Sequence, residues 1–484
     1  MPSIKKNFIY NSIYQILLII IPLITTPYIA RVLGPSGVGI YSYTYSIAHY
    51  ITIIALLGTI NYGTRSIAQI RDNREKLSDT FWGIYYFQLL LAFLLSALYL
   101  LYVVLFIEDY KIIFLIQFLY VISAAFDANW FCSGLENFKL LVIRNIIIRV
   151  SSVIAIFIFV KSSDDLWLYT LIMASSILIS QLVIWPYILS KINFLKPNLV
   201  SIGKHIKPNL ILFVPVIAVS VYTIMDKIML GILSNVSEVG YYTNSERIVN
   251  IARSLIVALG TVMLPRMSNL VAEGNYQKAL DLIRKSMIIV IFMGAALTFF
   301  IPAVSPTFVP WFLGEEFRES ALLASLLSII IIFTSWANVV RTQYLIPNSR
   351  DKIYIISVIT GAVVNFILNL ILIPQFHALG AVIGTIFAEI SVCFIQTYMI
   401  RKELEIKEYI KNVYPFIIFG LIMFIVVRSI AIISLQPVIL IALQILIGGL
   451  IYLSLSTLYL YKGIKEYEII NTVISFLPKK YRLK

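Results

Sequence analysis

Charge is what this sequence has least of. Asp, Glu, Lys and Arg make up 13% of its 484 residues, while 60% are hydrophobic. An ordinary globular chain carries about 25% charged residues, and half that share cannot solvate a surface of this size. The solvent must be lipid. Cysteine is almost missing too: Cys132 and Cys393 are the two present, both in or beside apolar runs. That excludes a disulfide framework and a thiolate metal cluster. Histidine amounts to His49, His205 and His377, so no metal site is expected. The alternation of apolar and polar residues that marks a membrane barrel is absent as well, which leaves helices as the spanning structure. Acidic residues number 24 against 38 basic ones, a net charge of +14. In a soluble chain that excess would suggest nucleic acid; here the basic residues lie in short connectors, where membrane orientation accounts for them.

What the sequence does have is long apolar runs. A spanning helix needs roughly 20 mostly apolar residues, and such runs occupy nearly the whole chain. They lie at about 8–30, 38–60, 80–106, 112–131, 140–160, 166–189, 209–233, 240–264, 286–304, 319–340, 353–373, 378–400, 413–433 and 438–461. The first follows Lys5 and Lys6 as a signal peptide would, but it is long enough to span and has no small-x-small cleavage site, so it reads as an uncleaved helix. The expected fold is an all-α polytopic membrane protein with about fourteen transmembrane helices. Residues 1–190 form an N-terminal six-helix lobe, 191–208 a cytoplasmic connector, and 209–400 a C-terminal six-helix lobe. Residues 401–484 add two helices and a basic cytoplasmic tail. The stretches at 190–208, 269–284 and from Lys462 onward mix basic and apolar residues, and read either as interfacial helices or as solvated connectors.

Basic residues set the orientation. Connectors on one side, with the two ends, hold 28 of the 38; the opposite connectors hold Arg31, Lys111, Lys161 and Arg318. Both termini are therefore expected in the cytoplasm. The two halves also share a detail. Leu33 and a short turn lead into Val38-Gly-Ile-Tyr41, and Leu233 and a short turn lead into Val239-Gly-Tyr-Tyr242. Both copies fall between the first and second helix of a six-helix set. Parallel repeats of this kind are a common way of building transporters.

Charges inside the apolar runs are costly, about 2.5–3.5 kcal/mol each on insertion scales, and usually face a protein interior or a watery cavity. Arg144 is read two ways, snorkelling to the interface or facing a cavity. Arg149 is deeper, and a cavity position is favoured. Glu246, Asn250 and Arg253 recur at helical spacing and share one face, with Arg247 beside them. Asp226 and Lys227 lie roughly 10 Å deep at a rise of about 1.5 Å per residue, as does Glu246. Pairing of Lys227 with Glu246 or of Asp226 with Arg247 would either line a cavity or lock two helices. Glu389 is near the middle of its run, with Arg428 as one available partner. His49 reads as a packing hydrogen-bonder. Lys227, Arg144, Arg149, Arg247, Arg253 and Arg428 outnumber Asp127, Asp226, Glu246 and Glu389, so a cavity with this lining would attract an anion such as a diphosphate.

Six segments carry a resemblance to a known family. They are Arg31-Val-Leu-Gly-Pro-Ser-Gly-Val-Gly-Ile-Tyr41, Asp127-Ala-Asn-Trp-Phe-Cys-Ser-Gly-Leu-Glu-Asn-Phe138, and Asp226-Lys-Ile-Met-Leu-Gly231 with Val239-Gly-Tyr-Tyr242. The last two are Asn365-Phe-Ile-Leu-Asn-Leu-Ile-Leu-Ile-Pro374 and Leu379-Gly-Ala-Val-Ile-Gly-Thr385. In this order and with this number of runs, the chain resembles the Wzx-type flippases. These form the polysaccharide-transport branch of the multidrug/oligosaccharidyl-lipid/polysaccharide exporter superfamily, whose members are MATE-like in fold. The resemblance implies no enzyme but a flippase of the bacterial plasma membrane. It would turn a polyprenyl-pyrophosphate-linked oligosaccharide repeat unit from the inner to the outer leaflet by alternating access, for capsule, O-antigen or exopolysaccharide synthesis. Substrate binding would fall to Arg144, Arg149, Lys227, Arg247, Arg253 and Asn250, and coupling to H⁺ or Na⁺ would draw on Glu389, Glu246, Asp226 and Asp127. Within the family's motif, Asp127 and Glu136 suit a gate or a structural cap. No other cofactor is implied; a polysaccharide polymerase and glycosyltransferases are the implied protein partners. A lipid II flippase and a drug or ion antiporter of the same fold are the rivals in transport. A membrane-integral polymerase or acyltransferase is the rival in enzymology, disfavoured by short outer connectors and few histidines.

Overall fold

The computed structural model describes residues 4–196, 199–433 and 435–463; of the basic tail expected from Lys462 onward, Lys462 and Gly463 end the last helix and the rest lies outside them. All regular structure among the described residues is helical. The elements are α1 (Ile4–Leu56), α2 (Thr59–Ile70), α3 (Arg74–Phe106), α4 (Lys111–Ser123), α5 (Asn129–Gly134), α6 (Phe138–Phe159), α7 (Leu166–Val183), α8 (Trp185–Lys191) and α9 (Leu199–Leu233). They continue with α10 (Val236–Ala272), α11 (Tyr276–Leu313), α12 (Arg318–Leu327), α13 (Ile330–Val339), α14 (Asp351–Met399), α15 (Ile406–Ile430) and α16 (Pro437–Gly463).

Ten helices among the described residues are long and apolar enough to cross a membrane. An eleventh span is a bent pair, Glu315–Leu327 with Ile330–Leu345, meeting at 42°. Two long helices each consist of two arms. α1 breaks at Gly34 (φ 65°, ψ 179°), and α14 breaks at His377 (φ 51°, ψ −129°). Gly34 takes the left-handed φ without a Cβ clash, and Pro35 disfavours helix at the residue before it. Opening both helices at these breaks, and adding α9 where the seventh apolar run was read, accounts for about the fourteen runs of the sequence. The connectors differ more from expectation than the runs do. Residues 199–208 and 276–284 are the first turns of α9 and α11 rather than separate connectors.

The lipid face is plain on α3. Leu90, Phe93, Leu94, Leu98, Leu101 and Leu105 are exposed along one side, while Gln88, Ala92, Ser96, Tyr99 and Val103 are buried on the other. Each set recurs every three or four residues, the period of a helix with one packed face. In water the exposed set would cost about 25 cal/mol per Å²; in hydrocarbon it costs nothing.

The chain divides into two compact units, Met1–Gly240 and Tyr241–Lys484. In the first, α4 packs on α7, α1 and α3, α6 on α1 and α7, and α9 on α1, α2 and α3. A core of Phe81, Trp82, Tyr85, Trp130, Phe131 and Ile188 closes one end. In the second, α11 is the hub, packed by α12, α13, α15 and α16, with α14 against α12 and α13. The Asn365 and Gly384 motifs serve this packing. Asn369 donates to Asn365 Oδ1 at 3.3 Å, Tyr242 and Thr385 share a hydrogen bond at 3.1 Å, and a Cβ on Gly384 would overlap Asn369.

Within the first unit, which ends at Gly240, the glycines of the two Val-Gly-x-Tyr copies come together. A Cβ on Gly39 would overlap the carbonyl oxygen of Val236, and a Cβ on Gly240 would overlap that of Pro35. Each glycine faces the carbonyl four residues before the other glycine. The contact is therefore reciprocal, as a local two-fold relation requires, and backbone meets backbone with no room for a side chain.

Candidate functional site

Two groups of charged side chains lie within the apolar helices, one in each unit. In the first unit α6 carries both arginines that the sequence singled out, and the structure separates them. Arg144 is 6% exposed. Its Nη2 donates to Asn129 Oδ1 and Asn145 Oδ1, both at 2.8 Å. Asn129 donates to Gln181 Oε1 at 3.0 Å, and Gln181 donates to Asp127 Oδ2 at 3.1 Å. The Asp127 carboxylate also accepts the Asn129 backbone N–H at 2.9 Å. Snorkelling is thus the wrong reading of Arg144: the guanidinium is packed into a polar network, bonded to Asn129 on α5 and Asn145 on α6 and linked through Asn129 to Gln181 on α7. Nearby, Trp130 lies against Gly63 and donates to Gln88, and Glu136 pairs with Arg71 at 3.0 Å. The motif from Asp127 to Phe138 is a brace of buried polar bonds closed by a more exposed ion pair.

Arg149 is exposed, and its direction is informative. The lipid-facing stripe of α6 consists of Ile143, Ile147, Val150, Ile154 and Ile158, all exposed. Arg149 lies on the other side, seven residues from buried Val142 and seven from buried Ile156. Seven residues are two helical turns, so all three share a face. Arg149 is thus exposed on the face opposite the apolar stripe. Among the described residues Arg149 pairs with no carboxylate.

On α9, Asp226 is buried and Lys227 half-buried, one turn before Gly231, against which the Tyr43 ring rests. His49, expected to be a packing group, bonds through Nδ1 to the Tyr120 hydroxyl at 2.5 Å and stacks on Tyr45 at 5.4 Å.

In the second unit α10 presents Glu246, Asn250 and Arg253 as one stripe, as their spacing requires. Leu255 and Val262, both exposed, mark its opposite, lipid-facing flank. Asn250 is exposed, Glu246 half-buried, and Arg247 half-buried with its guanidinium directed at Asn244 Oδ1, 3.4 Å away. Glu389 on α14 is 5% exposed and pairs with Arg253 Nη1 at 3.7 Å. Arg428, the partner considered from sequence, is exposed near the end of α15 instead. Arg341 also acts electrostatically on Glu389. Sequence reasoning missed this residue: the run was ended at residue 340, whereas the helix continues through a π turn, Val340–Leu345. Among the described residues no group of three or more His, Cys, Asp or Glu could hold a metal ion. Arg149 and Arg253 both lie on helix faces opposite exposed apolar stripes.

Known proteins bear this fold. The chain is 22% identical over 406 residues to a putative O-antigen transporter of Escherichia coli (strain K12), covering 83% of this chain and 97% of that one. The structure is similar to a lipid II flippase MurJ in an inward closed conformation, with a TM-score of 0.72 at 17% identity, covering 94% of this chain and 100% of the other. It is also similar to the inward-facing conformation of a multidrug resistance MATE family transporter of the MOP superfamily, with a TM-score of 0.56 at 14% identity, covering 81% and 99%. These likenesses fix an all-α membrane fold of the MATE-like class. The family described as polysaccharide biosynthesis protein matches residues 4–271, more than half of the chain, and with its motifs and fold in place this protein belongs to that family.

Proposed function

We propose that this protein is a flippase for a polyprenyl-diphosphate-linked oligosaccharide repeat unit, moving it from the cytoplasmic to the outer leaflet of a bacterial plasma membrane by alternating access. Both termini are then cytoplasmic, and the flipped unit feeds a polysaccharide polymerase. The observation that carries the reading is Arg149, a cation exposed on the packed face of α6, opposite its lipid stripe. A diphosphate offers the bidentate oxygens that a guanidinium fork holds best. In the first unit Lys227 is a further candidate, with Arg144 held in reserve within its amide network; in the second unit Arg253, Arg247 and Asn250 form their own candidate group. The polyprenyl tail stays in lipid, so the headgroup alone needs a polar path. Membership in the polysaccharide biosynthesis family and the likeness to a putative O-antigen transporter support this substrate class. A counter-ion, H⁺ or Na⁺, would restore the carrier, and Glu389, Glu246, Asp226 and Asp127 are the carboxylates available to carry it.

Reconstituted proteoliposomes test the reading. With a fluorescent polyprenyl-diphosphate oligosaccharide in both leaflets, the protein should expose the inner-leaflet pool to an external quencher at least tenfold faster than protein-free vesicles. Quenching at the protein-free rate, with extrusion of a cationic dye such as ethidium by the same vesicles, would replace the reading with a drug antiporter.

A further inference from the structure

In the second unit the buried carboxylate of Glu389 pairs with one guanidinium and lies within electrostatic range of another. Glu389 is nearly sealed from solvent, while the Arg253 side chain is 27% exposed. Their separation of 3.7 Å is longer than the roughly 2.7–2.9 Å of a charge-assisted hydrogen bond, so the pair is held without being tightly closed. The second guanidinium, Arg341, comes from the π turn at 340–345 and lies over the Tyr354 ring at 5.7 Å. Such turns shift the helical phase by one residue and often mark functional positions; this one brings Arg341 from the end of its run to within electrostatic reach of Glu389. The group of three has a net charge of +1.

We propose that Glu389 is an internal counter-anion that competes with the substrate's diphosphate for Arg253 and Arg341. The inference rests on the flippase reading and deepens it by naming the group that sets affinity. With no ligand, the carboxylate keeps the two arginines from standing uncompensated in a low-dielectric site, where stripping one partner from a buried pair is strongly unfavourable. An arriving diphosphate brings two or more negative charges, enough to engage both guanidiniums. It must, however, displace Glu389 and leave that carboxylate poorly compensated. Binding is thereby weakened by design. A carrier needs a site favourable enough to enter and weak enough to leave, and a tethered competitor supplies the second property. Arg341 is then a binding residue, while Glu389 tunes release.

Full-length protein in lipid nanodiscs tests this with two probes, a polyprenyl diphosphate and inorganic pyrophosphate. Glu389→Gln keeps the shape and removes the competing charge. It should bind polyprenyl diphosphate about tenfold more tightly, the scale of one charge-assisted contact, while flipping in proteoliposomes falls at least tenfold. Arg341→Ala should bind about tenfold more weakly, and Arg341→Lys should recover most of that loss. Tightening toward both probes supports the diphosphate as the recognised group; tightening toward inorganic pyrophosphate alone makes the ligand a free anion and overturns the lipid-linked assignment. Equal binding by wild type, Glu389→Gln and Arg341→Ala overturns the competition while leaving the flippase reading intact. Absence of binding in every protein overturns both.

Discussion

Replacing Arg149 by alanine is expected to lower surface polysaccharide at least tenfold, with protein level and membrane insertion unchanged. The asymmetry follows from how the side chain is held. Arg149 is exposed and pairs with no carboxylate among the described residues, so its removal strands no buried partner and opens no cavity. Stability should move by less than about 0.5 kcal/mol, as for surface substitutions generally. Function is a different matter if the guanidinium grips a diphosphate, since a charged, bidentate contact in a partly desolvated site is worth about 1.5–3 kcal/mol, or tenfold to more than a hundredfold in equilibrium. Arg149→Lys keeps the charge but loses the fork, and should fall between wild type and alanine. Quantifying polymer by immunoblot in cells lacking the native gene, beside the protein level, checks the prediction. Arg144 offers the contrast. It is buried and bonded to Asn129 and Asn145, with Gln181 tied to Asn129 in turn, so its alanine variant should lose folded protein together with polymer.

The second large effect is expected at the reciprocal glycine contact. Gly39→Ala or Gly240→Ala places a methyl group where the facing backbone carbonyl already lies. No rotamer relieves that overlap, because the obstacle is main chain on one side and Cβ on the other. The helices must separate, and overpacking of this kind costs about 1–3 kcal/mol, occasionally more. The double variant should cost less than the sum of the two, because the residues share one contact. Gly449 on α16 is the control, since a Cβ there meets nothing within 4 Å; its alanine variant should be neutral or up to about 1 kcal/mol more stable. Thermal unfolding in detergent, followed by tryptophan fluorescence, separates the two cases.

How much was legible in the sequence depends on whether the physics is local. Hydropathy is local and strong in a membrane protein, so the apolar runs emerged close to their observed helices. The face shared by Glu246, Asn250 and Arg253 followed from helical period alone. Breaks within runs were less legible. Pro374 to His377 was read as a connector, whereas the chain keeps helical bonding up to a single non-helical residue. The end of the tenth run was misjudged because hydropathy cannot distinguish a connector from a π turn, and Arg341 was lost with it. Partners across helices were the least legible. Glu389 had no neighbour in sequence, and its pairing with Arg253 is set by tertiary packing between residues 136 positions apart. Gln181 drew no attention, because a lone amide in an apolar run carries no signal until Asp127 and Asn129 are seen beside it. The Val-Gly-x-Tyr repeat was recognisable, yet nothing in either copy announced that its counterpart is the surface it touches.

The account depends on the arginine face of α6 being wetted while the isoleucine face is buried in hydrocarbon. Single cysteines at positions 149 and 150, in a protein whose Cys132 and Cys393 are replaced by serine or alanine, test this directly with a charged, membrane-impermeant thiol reagent. The account predicts rapid modification at position 149, suppressed by excess polyprenyl diphosphate, and little or none at position 150. Equal reactivity at the two positions, or protection of 149 with reaction at 150, would contradict it.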